Sequence, residues 1–109
     1  MTDTTFFPNL ADLVADAPTD SIVSRQILKD ERLHAILFQF AAGQELSEHT
    51  SAFPAVLHFL DGRARLTLGD AAQTAVAGTW VHMPARLPHS IVAETPVTML
   101  LLMLRGGTQ

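Results

Sequence analysis

Short apolar runs follow one another along most of this chain, each closed by a turn signal, and that rhythm restricts the fold more than any other feature. Strands are predicted at Ile22–Lys29, 33–41, 55–60, Arg63–Leu68, 74–77, Trp80–Met83, His89–Ala93 and Val97–Leu104. The breaks are Asp30-Glu31, Gly43, Asp61-Gly62, Gly69-Asp70, Gly78, the 84–88 segment with Pro84 and Pro88, and Thr95-Pro96. Asp-Gly between two strand patterns is a two-residue hairpin signal, so a tight hairpin is expected at Asp61-Gly62. Evenly spaced short strands with such punctuation argue for an all-β sandwich or barrel. Only residues 6–17 read as helix, with Pro8 in the first turn, Leu10, Leu13 and Val14 on one face, and Pro18 ending it. The expected division is a helical segment at 1–20 packing on a β-barrel domain at 21–109.

Two of the predicted strands, 33–41 and Val97–Leu104, are apolar on both faces. A strand with one wet face alternates, so their outer face needs a cover. Either the N-terminal helix alone covers it or a second subunit does, and a homodimer is the expected state. The hydrophobic fraction of 48% supports a packed core in 109 residues. A formal net charge of −4 with no basic run argues against a nucleic acid partner. The longest apolar stretch, Val97–Leu104, falls far short of the ~20 residues that cross a bilayer, so no membrane partner is expected. The start of the chain is acidic and lacks the features of a secretory signal. The absence of cysteine rules out thiolate sites and disulfides and points to the cytoplasm.

The segment 43–62 reads GQELSEHTSAFPAVLHFLDG, and 78–89 reads GTWVHMPARLPH. They resemble the two motifs of the cupin family. The first is a glycine, five residues, a His-x-His pair, then a glutamate, six residues and a glycine. Gly43, His49 and Gly62 fall at the matching positions. The second is a glycine, five residues, proline, x, glycine, two residues and histidine. Gly78, Pro84 and His89 match it. The resemblance covers residues 33–104 and implies a cupin double-stranded β-helix, the jelly-roll barrel also called RmlC-like, with the site inside it. The metal set that the family carries would fall on His49, Ser51, Ala55 and His89. The sequence departs from the motifs at Ser51, at Ala55 and at Arg86, where the second motif has a glycine.

A divalent metal takes three or four N, O or S ligands at ~2.0–2.3 Å, and two imidazoles make a weak site. Glu45 shares a face with His49 if the segment is a regular strand, but four residues of strand span ~13 Å, too far to grip one ion together. Glu48 points away, and a Ser51 hydroxyl is a poor ligand. His82 completes a three-histidine set if Trp80–Met83 and His89–Ala93 form a hairpin that places it opposite His89. Otherwise it is a half-buried strand histidine with a hydrogen-bond partner. His58 alternates away from Ala55, Leu57 and Phe59 and faces outward unless a bulge reverses it. His34 begins a strand and is expected in solvent, while Arg86 stands where it meets either an anion or water. Small side chains at Ser51 and Ala55 leave room for a pocket walled by Ser51, Phe53, Ala55, Leu57, Phe59 and Met83, unless these simply fill the core.

The reading that follows is a cupin barrel binding a small molecule inside it. Any metal is a weakly held divalent transition ion (zinc, iron, nickel, manganese or copper). The alternatives are a metal-dependent oxygenase or isomerase using His49 and His89, and an interaction protein with a filled barrel.

Overall fold

The computed structural model describes residues 3–106. Nine strands form two antiparallel sheets among the described residues: β1 (Ile22–Lys29), β2 (Leu33–Phe40), β3 (Glu45–His49), β4 (Ala55–Asp61), β5 (Arg63–Leu68), β6 (Ala71–Val76), β7 (Trp80–Met83), β8 (His89–Ala93) and β9 (Val97–Leu104). One sheet has the order β1-β2-β9-β4-β7 and the other β3-β8-β5-β6. Their inner faces meet in one core, where Phe40, Leu57, Phe59, Leu66, Ile91, Val97 and Met99 are almost wholly buried. The all-β barrel expected from the strand rhythm is present, and five of the strands have the predicted bounds.

The differences have local causes. β3 carries a single apolar residue, Leu46, between polar neighbours, as suits the exposed edge of a sheet, and so lacks a sequence signal. β6 spans Ala71–Val76 rather than 74–77, because its alanine-rich start has little strand propensity and is held by pairing with β5. The expected helix at 6–17 is only a 3₁₀ helix, Leu10–Val14, capped by the Asn9 side chain on the Ala11 amide at 3.1 Å. A segment bounded by Pro8 and Pro18 is too short to nucleate a stable α-helix. Its apolar face is still used, since Val14 is buried and the turn touches β1 and β2.

Asp61-Gly62 is not a hairpin. β4 passes into β5 through Gly62 alone, and the two strands belong to different sheets, so the turn is a corner of the barrel. No helix among the described residues is long and apolar enough to cross a membrane.

Candidate functional site at the barrel mouth

His49 ends β3 and His89 begins β8, and the two are directly opposed across the strand pair. The pairing slips by one residue between Leu46 and His49, which is a β-bulge. Leu46 faces Ile91, a core residue, three positions before His49. In a regular strand residues three apart face opposite ways, so the bulge is what turns His49 inward. It also overturns the expectation that Glu45 shares the face of His49, because Glu45 pairs with Val92 on the other face.

The imidazole centroids lie 4.2 Å apart with the rings tilted by 59°. His49 Nδ1 is 2.6 Å from the Ser47 carbonyl oxygen, and His89 Nδ1 is 2.8 Å from the Leu87 carbonyl oxygen. A carbonyl can only accept, so each Nδ1 carries a proton and donates it. In the neutral form each Nε2 then keeps its lone pair for a partner. His89 is buried while His49 is exposed, so the pair joins the core to the solvent at one end of the barrel.

Ser51, half-buried, follows His49 closely. Its hydroxyl accepts from the Phe53 amide at 3.1 Å and lies 3.9 Å from Met103 Sδ. Its carbonyl accepts from the Arg86 amide at 2.7 Å, which ties the 84–88 segment to the end of β3. Phe53 is 39% exposed, with the Arg105 guanidinium 5.9 Å from its ring centroid.

The other residues expected in the site fall elsewhere. Ala55, Leu57, Phe59 and Met83 are buried among the core side chains, with Ala55 between Met83 and Met103 in register. Of the six expected wall residues, Ser51 and Phe53 stand at the mouth. His82 does not join the pair. β7 and β8 lie in different sheets, so no hairpin connects them, and His82 is exposed opposite Val56. His58 faces outward as alternation predicts, opposite Trp80 and Leu100. His34 is half-buried rather than free in solvent. It shares a hydrogen bond with Gln26 at 3.2 Å, and desolvation, then Lys29 and Arg105, hold its pKa below the ordinary value.

The donor set does not fit a resident divalent metal of the family type. Two nitrogens converge, but the remaining positions hold a neutral hydroxyl and a methyl group. No three His, Cys, Asp or Glu side chains among the described residues are grouped to hold an ion. A separate cavity of about 380 Å³ lies away from the mouth, between the N-terminal segment and β2, lined among others by Val14, Pro18, Gln39, Ala41 and Pro96. The sequence signals did not indicate it, because it arises where a coil crosses a sheet.

No protein-family model matches the chain, and no curated protein does. Solved structures do match. A conserved protein of unknown function from Streptococcus pyogenes is 26% identical over 94% of this chain and 92% of its own, with a TM-score of 0.81. A cupin superfamily protein from Desulfitobacterium hafniense is 27% identical over 88% and 87%, with a TM-score of 0.82. A cupin 2 conserved barrel domain protein from Leptotrichia buccalis is 28% identical over 89% of this chain but 47% of its own, with a TM-score of 0.81.

Proposed function

We propose, for a chain that is a small cupin-fold barrel with an incomplete metal-ligand set, a role in binding a small molecule at the mouth of the barrel. The observation that carries this reading is the His49–His89 pair, with both Nδ1 atoms committed to backbone carbonyls and both Nε2 atoms left for a ligand. Fixing the tautomer from the backbone orients both rings before anything binds, so little ordering cost remains at the moment of binding. Leu68, opposite His89 in register, and Leu46 and Leu87 near the pair along the chain are packed partly against the core and supply apolar surface at this end of the barrel. The deeper interior is filled by Leu57 and Phe59, which confines the ligand to the mouth. A chain without cysteine suits a reducing compartment, and we assign it to the cytoplasm on that ground.

The same free Nε2 atoms favour one second reading, a metal-dependent oxygenase or isomerase in which the pair holds an ion and water or substrate completes its shell. Two experiments separate them. Calorimetric titration of metal-free protein with zinc is expected to show weak binding that the His49→Ala variant loses. NMR titration with a library of small polar molecules is expected to move the His49 and His89 side-chain resonances without added metal. Tight zinc binding by the wild type would favour the enzyme. A library with no hit at either histidine would remove the binding reading.

A further inference from the structure

Arg86 occupies an unusual place beside the pair. It is the only non-glycine residue with positive φ among the described residues, at 68°. That is the left-handed region, where a Cβ crowds the backbone and glycine is the easy choice. Arg86 also stands at the position where the second cupin motif has a glycine. Its backbone is docked at the site, since its amide donates to the Ser51 carbonyl, two residues beyond His49. The Arg86 side chain is exposed and makes no hydrogen bond or ion pair among the described residues.

We propose that the ligand of this site is a small hydroxy acid, with the Arg86 guanidinium taking its carboxylate and the exposed His49 Nε2 accepting its hydroxyl proton. The inference rests on the binding reading above and names the chemistry of that ligand. Each half follows from the groups on offer. A planar guanidinium presents paired donors that match a carboxylate and give it orientation as well as charge. In the neutral form His49 and His89, donating through Nδ1 to the backbone, offer acceptors at Nε2, so what meets either must bring a proton of its own. An alcohol does so, and a carboxylate or ether does not. A chain with net charge −4 repels anions in general, so a local cation at the mouth is the element that selects one. The partly buried Leu46, Leu68 and Leu87 suit a short aliphatic body between the two polar ends.

The test is an NMR titration of the full chain with 3-hydroxybutyrate, with its methyl ester and with butyrate. The hydroxy acid is expected to bind at least about tenfold more tightly than its ester, the strength of one charge-assisted contact, and about three- to tenfold more tightly than butyrate, the strength of one neutral hydrogen bond. Arg86→Gly is expected to abolish the preference for acid over ester while raising the Tm, since glycine relieves the left-handed backbone. His49→Ala is expected to abolish the preference for hydroxy acid over butyrate. Equal binding of acid and ester by the wild type, or an acid preference that survives in Arg86→Gly, overturns the inference. If all three compounds shift the His49 and His89 resonances equally, the inference fails and the binding reading stands. If none shifts them, the inference fails, and the library titration alone decides the binding reading.

Discussion

At Gly62 the backbone turns from one sheet into the other with φ 91°, and an added Cβ would stand 2.0 Å from the Pro96 carbonyl oxygen. The contact is with backbone, so relief requires the barrel corner to open. Gly62→Val is therefore expected to destabilise the fold by more than about 1 kcal/mol, read as a fall in the urea midpoint. Asp30 makes a softer demand. Its carboxylate accepts from the Arg32 and Leu33 amides at 2.8 Å each, closing the β1–β2 turn. Those two hydrogen bonds, with smaller help from the charges of Arg105 and Arg32, hold its pKa below the ordinary 3.8. A lowered carboxyl pKa stabilises the fold above the unfolded value and loses that contribution as pH falls through the folded one. The Asp30→Ala variant should thus melt below the wild type at neutral pH, and the gap should close as pH drops below 3.8. A gap that stays constant down to strong acid would assign the effect to shape rather than charge.

Among the elements, β2 and β9 best explain why the barrel holds together. Their inner rows, Phe40 with Val97 and Phe38 with Met99, enter the core. Their outer rows are also withdrawn from water, with Leu37 at 0% exposure and Ala35 at 4%. The N-terminal segment accounts for part of this cover, since its 3₁₀ turn touches β1 and β2. Beneath it the Thr98 hydroxyl donates to Gln39 Oε1, so the buried threonine is satisfied. Leu37→Ala is expected to cost about 2–5 kcal/mol by thermal or chemical denaturation, as for an inner core leucine. A loss well below that range would show that the outer face is looser than its burial implies. The two-sided apolar character of these strands was legible from the residues, because it needs only the alternation rule. The bulge in β3 was not, because it depends on which residue of β8 each neighbour meets.

For the whole molecule, the outer face of the five-stranded sheet is the surface that remains to be explained. Trp80, His58, Leu100 and Leu37 form one cross-strand row and His82, Val56, Leu102 and Ala35 the next. The N-terminal side of these rows is covered, while Trp80 at the edge is 61% exposed and Leu100 and Leu102 are half-buried. From β7 to β2 neither row carries an acidic residue or a lysine or arginine, and the first charge in either is Arg25 of β1, opposite Leu37 at the far edge, which suits a self-complementary contact across a two-fold axis. A homodimer through this face is the expected state. Light scattering at micromolar concentration and physiological salt should give twice the mass of the 11.8 kDa chain, and Trp80→Glu should halve it. A monomer mass for the wild type would leave this face simply exposed.

The spacing of apolar runs and turn residues was enough to establish the all-β class and most strand bounds, and the resemblance to the cupin motifs implied that His49 and His89 share a site. Those properties follow from period, turn chemistry and motif order, all of which are local in the chain. What only the tertiary structure decided was pairing. Whether β7 joins β8 or β4 determines whether His82 can approach the site, and the short run of four residues at Trp80–Met83 carries no signal of its partner. Whether Asp61-Gly62 is a hairpin or a corner depends likewise on which sheet receives β5, and Gly62 tolerates both. The pocket expected among Ala55, Leu57, Phe59 and Met83 closed into core for the same reason. Side-chain volume is set locally, but the space it fills is set by the facing sheet.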